Sequence, residues 1–295
     1  MLPAMSKSMR IAIVGPGRLG KALAMALKRA GYPVIEIVTR NEAASLRRAR
    51  KLARSVGAKT VAIGKSELRA GLIWFCVPDR EIPRAATTLL PATAWHGRFA
   101  FHSSGALSSG ELAALKREGA AIAAVHPFMT FVSRSEPELR GVPFGIEGDP
   151  AAVRLARQVV RRLGGEAFPV AREKKAAYHA WGGFTSPLLV SLLMTAERAA
   201  SAAGFSPVKA RRWAIPILRQ TLANYERLGP ADAFSGPLVR GDAEVVEKHL
   251  QELEKLPVAR AVYVALAKAA LEGLPVRNRK QLERLLEESV RRRRK

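Results

Sequence analysis

Arg10-Ile-Ala-Ile-Val-Gly-Pro-Gly-Arg-Leu-Gly20 is the stretch on which the reading of this chain turns. The apolar run Ile11 to Val14 predicts a buried strand, because four consecutive apolar residues bounded by glycine suit a parallel sheet. Beyond the glycines, Leu19, Leu23, Ala26, Leu27 and Ala30 recur at helical spacing until Gly31 ends the pattern. The order is therefore strand, glycine turn, helix. Gly15 permits a tight reversal, Gly17 lets a pyrophosphate approach the backbone, and Gly20 lets the helix pack close to the strand. Together with Pro16, Arg18 and Leu19 these glycines form a candidate dinucleotide cradle, since a helix N-terminus presents N–H groups and positive potential to phosphates.

The end of the second apolar run, Val34 to Thr39, indicates which dinucleotide. An NAD-selective site places an acid there to accept from the ribose hydroxyls, whereas this chain has Thr39, Arg40 and Asn41. Arg40 can grip a 2′-phosphate with its planar fork of donors, so NADP(H) is the expected cofactor. Arg47 and Arg48 on the following helix add positive charge in a direction the sequence does not give.

Short apolar runs continue near Thr60 to Ile63, Leu72 to Val77, Phe99 to His102, Ala121 to Val125, Phe144 to Glu147 and Glu166 to Val170, with helical patterns at Ser109 to Glu118 and Pro150 to Leu163. Asn41 is a suitable cap for a helix reaching Val56. This alternation predicts a largely parallel sheet covered by helices on both faces, the α/β class. From Arg172 apolar residues recur every three or four positions, without a convincing strand. The expected division is 1–170 for the sheet domain and 171–295 for a helical one, with a kink or break at Pro187 and at Pro216.

At 295 residues the chain has room for two domains. Its single cysteine, Cys76, lies inside an apolar run and reads as a small buried hydrophobe, which fits a reducing cytosol. No apolar run has the length of a membrane span, and Met1 to Arg10 lacks a signal-peptide core, so the expectation is a cytoplasmic protein with no membrane partner. The formal charge of +24 raises nucleic acid as a partner. The excess is spread over both halves, however, and lies on helix faces with little aromatic interleaving, so no specific nucleic-acid site is expected. Only the block Arg291 to Lys295 is dense.

Ligands of such sheets bind beyond the carboxyl ends of the strands. Three strand ends carry chemistry: Cys76-Val-Pro-Asp79, His102-Ser-Ser-Gly105 and His126-Pro-Phe128. The chain at Val77 and Pro78 is placed to run along the cofactor, and Asp79 to start the next helix. Ser103 and His126 are candidate catalytic residues, and His102 and Ser104 candidate substrate contacts. Arg240 is a candidate for gripping an anionic substrate, with Asp242 read as the cap of a helix from Ala243 to Leu253. His249 reads as structural. The five histidines have no metal-ligand spacing and no cysteine pair exists, so no metal is expected.

These pieces, with His126-Pro-Phe-Met-Thr-Phe131, Tyr178-His179 and Ser235-Gly-Pro-Leu-Val-Arg-Gly-Asp242, resemble a bacterial family that joins an NADP-binding Rossmann-like domain to a helical domain of unknown function. The chain is more distantly similar to the 6-phosphogluconate dehydrogenase, β-hydroxyacid dehydrogenase and pyrroline-5-carboxylate reductase superfamily. The resemblance implies an all-α C-terminal domain of the 6-phosphogluconate dehydrogenase type, a homodimer built through it, and an NADP-dependent oxidoreductase acting on a small carbonyl or imine between the domains. The β-hydroxyacid dehydrogenases carry Lys-x-x-x-Asn with lysine as proton donor. This chain has Lys175-Ala-Ala-Tyr-His179 at the same spacing, which puts Lys175 and His179 on one helical face as candidate catalytic residues. The closer family tends to carry Asn where this chain has Pro187. Loss of that amide keeps a second expectation open, an NADP(H)-binding sensor or scaffold without turnover.

Overall fold

The computed structural model describes residues 9–64, 67–133 and 138–291. The dense basic terminus beyond residue 291 and most of the N-terminal segment read for targeting lie outside them. Among the described residues eight strands form one sheet: β1 (Ile11–Val14), β2 (Val34–Thr39), β3 (Lys59–Ala62), β4 (Leu72–Phe75), β5 (Phe99–His102), β6 (Ala121–Pro127), β7 (Pro143–Gly148) and β8 (Glu166–Pro169). Their order is β3-β2-β1-β4-β5-β6-β7-β8. The first six run parallel, β7 pairs antiparallel with β6, and β8 runs parallel to β7. The order reverses between β2-β1 and β4, and the parallel strands β1, β2, β4, β5 and β6 bring their carboxyl ends to one edge. Such a switch point is where doubly wound sheets bind ligands.

Alternation along β1 divides its side chains between two cores. Ile11 and Ile13 pack with helices α1 (Arg18–Arg29), α2 (Ala43–Val56) and, further along the chain, the helix Pro150–Arg162. Ala12 and Val14 pack on the other side with α3 (Ile82–Leu89) and α4 (Ala113–Arg117). With α5 (Pro150–Arg162) named, the layers are helices, sheet, helices, so both faces of the sheet are buried.

The compact units divide at Phe184/Thr185. Helix α6 (Lys175–Thr185) counts with the sheet, because it buries Lys175 and Tyr178 there. The second unit is helical throughout its described residues: α7 (Pro187–Ala202), α8 (Pro207–Ala233), α9 (Pro237–Arg240), α10 (Ala243–Glu252), α11 (Pro257–Gly273) and α12 (Arg279–Arg291). Its core joins α10, α11 and α12 through Val246, Leu250, Val264, Leu271, Leu282 and Leu286. In contrast α7 buries only Thr195 and α8 buries nothing, leaving Val190, Met194, Trp213 and Ile217 exposed. No single described helix is long and apolar enough to cross a membrane.

Several local expectations change. Pro187 does interrupt the helix, starting α7 at its first position, where the missing N–H has no helical partner to lose. Pro216 does not: α8 runs through it, and the non-helical residue is Gly229, with φ 75°. The proline ring crowds the preceding turn and removes one N–H without ending the helix, whereas a glycine at positive φ redirects the chain outright. Asn41 is not the cap of α2, which begins after Glu42 with no side-chain cap. Asp242 precedes α10 but directs its carboxylate to Arg240 instead of to the helix backbone.

Candidate cofactor cleft and catalytic cluster

A cleft of about 580 Å³ opens at the ends of β1, β2 and β4, lined among others by Gly15, Pro16, Gly17, Thr39, Arg40, Asn41, Val77 and Pro78. The three glycines differ physically. At Gly15, φ is +100° and a Cβ would lie 2.7 Å from the Cys76 carbonyl oxygen, so the reversal needs glycine twice over. At Gly20 a Cβ would fall 2.0 Å from the Gly15 oxygen, inside any contact distance, so glycine sets how closely α1 packs on the turn. At Gly17 a Cβ would meet nothing within 4 Å. Gly17 is open to solvent and sits at the N-cap of α1, where helix N–H groups lack partners within the helix. This cradle suits a pyrophosphate, with Arg18, Leu19 and Gly20 supplying the first turn of N–H groups although they do not line the cleft.

Arg40 is 65% exposed and pairs with Glu42 at 3.4 Å. Such a pair contributes about 0–1 kcal/mol, so the guanidinium is available to a stronger anion. Arg48 turns toward the cleft while Arg47 does not line it, and Arg80 and Arg84 from the other wall join them. Those last two were not read from the sequence, because their direction depends on α3 packing across the sheet. Four arginines face two glutamates, Glu42 and Glu81, which favours anionic ligands. The acid within β2, Glu36, is spoken for: its carboxylate accepts from the Arg69 and Ala70 N–H groups at 2.9 and 3.2 Å.

Next along the same edge, the ends of β5 and β6 gather a second group with α6, all inside the first unit. Lys175 is 2% exposed, and its Nζ donates to the Ser104 carbonyl at 2.9 Å. Burial pulls its ammonium down to about 8, opposed by the carboxylates of Glu147 and Asp79. Asp79 begins a short 3-10 turn, and its carboxylate also accepts from Ser104 Oγ at 2.8 Å. Glu147 accepts from the Ser109 backbone and hydroxyl and pairs with Arg172, contacts that span distant segments and carry no local sequence signal.

The serines and histidines divide by what their polar atoms already do. Ser103 Oγ accepts from Trp74 Nε1 at 2.8 Å and retains its own proton to donate. His102 is fully buried, its Nε2 against the Ser108 carbonyl at 2.9 Å and its Nδ1 accepting from the Ser104 N–H at 3.1 Å. Both ring nitrogens are used, so His102 shapes the loop and offers nothing to a substrate. Burial lowers its imidazole to about 4. His126 is half-buried, with Nδ1 2.7 Å from the Tyr178 hydroxyl, and desolvation with the nearby Lys175 lowers it to about 3. His179 is exposed one helical turn from Lys175, with its ring 6.1 Å from that of His126.

Cys76 is buried in the cleft wall, where desolvation pushes its thiol well up, an inert environment. Arg240 belongs to the second unit, where its guanidinium pairs with Asp242 at 2.8 Å. His249 there meets the Tyr263 hydroxyl at 3.1 Å. Among the described residues no three His, Cys, Asp or Glu side chains could hold a metal.

Residues 4–127 match the Rossmann-like domain family, and residues 142–270 match the family described as Domain of unknown function (DUF2520). Of solved structures, a candidate NADP oxidoreductase from Bacteroides fragilis superimposes with a TM-score of 0.74 at 20% identity, over 89% of this chain and 98% of its own. A protein from Thermotoga maritima does so with 0.69 at 25% identity, over 95% and 99%. A reductive aminase from Aspergillus terreus, crystallised with NADPH and ethyl-5-oxohexanoate, gives 0.61 at 16% identity, over 93% and 98%. No curated protein matches the sequence.

Proposed function

We propose that this chain, a Rossmann-like domain joined to a DUF2520 domain, is an NADP(H)-dependent oxidoreductase of a small carbonyl or imine compound. The observation that carries the reading is the juxtaposition on one sheet edge of an open glycine cradle at Gly17 and a buried lysine among donors at the neighbouring strand ends. The fold shared with the B. fragilis protein and the A. terreus reductive aminase adds support.

Gly15, Gly17 and the first turn of α1 hold the pyrophosphate, and Arg40, aided by Arg48, holds the 2′-phosphate. Bound nicotinamide supplies a hydride to the substrate carbon, or accepts one in reverse. Lys175, held by the Ser104 carbonyl, gives an Nζ proton to the substrate heteroatom and is left as the amine. A lysine titrating near 8 suits that exchange at neutral pH. His179, exposed beside it, passes protons between Lys175 and water, and Ser103 contributes a hydroxyl proton to orient substrate.

The second unit fits a homodimer: α7 and α8 present Val190, Trp213 and Ile217 to solvent, large apolar side chains of the kind that an association surface would cover. The test is a fluorescence titration with NADPH followed by a panel of ketones, aldehydes and imines. Saturable binding with oxidation of NADPH by a panel member is expected. Tight binding without turnover would replace the reading with a sensor, and no binding would end it.

A further inference from the structure

Tyr178 has no role in the reading above, yet two glycines are arranged around it and its partner. A Cβ on Gly145 would lie 2.8 Å from the Tyr178 hydroxyl, and one on Gly105 would lie 2.9 Å from His126 Nε2 and 2.6 Å from His179 Cδ2. Gly145 and His126 are directly opposed on β7 and β6, so the hydroxyl, the imidazole and the sheet are in register. The His126 ring stands at 87° to the Tyr178 ring with 5.5 Å between centroids, and Phe128 and Phe168 pack on Tyr178 at 5.6 and 5.8 Å. Phenol and imidazole are thus fixed in position and angle.

Which proton sits where follows from donor counting. Burial makes the Tyr178 hydroxyl a weaker acid, pushing its pKa up to about 12, so it stays protonated. The 2.7 Å contact to His126 Nδ1 is the one side-chain hydrogen bond this hydroxyl makes among the described residues, so its proton has that nitrogen alone as acceptor, and Nδ1 holds the lone pair that receives it. The ring proton is left on Nε2. That nitrogen has no partner among the described residues, and no fully buried side-chain nitrogen or oxygen there lacks one, so Nε2 is not sealed off and is free to donate. The charged and titratable groups facing the ring are Lys175, His179 and His102, all of which oppose a positive imidazole.

We propose that Tyr178 is a positioning residue that locks His126 as the neutral Nε2–H tautomer, making it a fixed hydrogen-bond donor for an oxygen acceptor of the substrate, such as a carbonyl. The substrate half of this rests on the oxidoreductase reading, whereas the tautomer does not. A donor that does not release its proton supports a carbonyl oxygen as negative charge develops there, while Lys175 performs the transfer. A protonated iminium offers Nε2–H nothing to bond.

The test is histidine side-chain 15N NMR on the full-length protein without cofactor, from pH 5 to pH 8. An unprotonated Nδ1 and a protonated Nε2 for His126 are expected throughout. In Tyr178→Phe that signature should give way to a tautomer mixture, and in Gly145→Ala, which displaces the hydroxyl without removing it, the change should be in the same direction. An Nδ1–H tautomer or an imidazolium at pH 6 in the native protein would overturn the proposal, as would an unchanged signature in Tyr178→Phe. Because the measurement needs no turnover, it stands or fails independently of the cofactor titration. If either variant does not fold, the native spectrum decides alone.

Discussion

Substituting alanine at two glycines three residues apart should produce opposite failures. At Gly20 the added methyl would sit 2.0 Å from the Gly15 oxygen, where ordinary contacts begin above 3 Å, and that neighbour is backbone. Helix α1 must shift outward from a packed layer, and overpacking of this kind costs about 1–3 kcal/mol. For a unit of 184 residues each kcal/mol lowers Tm by roughly 2–4 °C, so Gly20→Ala should melt about 2–12 °C lower. At Gly17 the same methyl meets nothing within 4 Å, so the fold should change by no more than about 1 kcal/mol. The methyl instead occupies the approach of the pyrophosphate. Loss of one charge-assisted bond at about 1.5–3 kcal/mol corresponds to a roughly 10- to 150-fold weaker NADPH affinity. Thermal unfolding and an NADPH fluorescence titration on both variants separate the effects. Wild-type affinity in Gly17→Ala, or a wild-type Tm in Gly20→Ala, would refute the assignment of roles.

Four further outcomes follow from the same geometry. Arg40→Ala should weaken NADPH roughly 10-fold or more and NADH far less, and equal losses in paired titrations would remove the 2′-phosphate assignment. Lys175→Ala should leave NADPH affinity nearly intact while reducing turnover about 10²- to 10⁴-fold, and wild-type reduction should decline as pH rises through about 8, where the ammonium is lost. In acid, His102 is held to about 4 when folded against an ordinary 6.5, so the unfolded chain binds the extra proton between those values. Stability should therefore fall as pH drops through that window, by up to about 1.4 kcal/mol per pH unit from this group, and a flat urea midpoint from pH 6.5 to 4.5 would contradict it. Val190→Asp with Ile217→Asp should convert a dimer to monomer by light scattering, and a monomeric wild type would dispose of the dimer.

The strands are legible because each is a short apolar run at a readable place, and the strand–turn–helix at the chain start is legible because Gly15, Gly17 and Gly20 lie within one turn. What the sequence hid depends on partners distant in the chain. The direction of β7 is invisible in Pro143 to Gly148, since an apolar run has the same composition either way along. His102 and His126 look alike as strand-end histidines, yet one is sealed by Ser104 and Ser108 and the other is held by a tyrosine 52 residues away. Asp79 resembles a helix start by local rules, but it also binds Ser104 across 25 residues. Gly105 and Gly145 carry no motif, and only the approach of His126 and Tyr178 shows why a Cβ is excluded. Pro216 illustrates the reverse case, where the surrounding helix absorbed a residue that local propensity disfavours.

Calorimetry of the purified protein with NADPH, with NADH as the matched ligand lacking the 2′-phosphate, tests cofactor binding most directly. Saturable heat with one NADPH per chain, and a markedly weaker isotherm for NADH, is the predicted result. Absence of heat and saturation for both ligands would contradict it, and with it the function assigned to the Gly17 cradle.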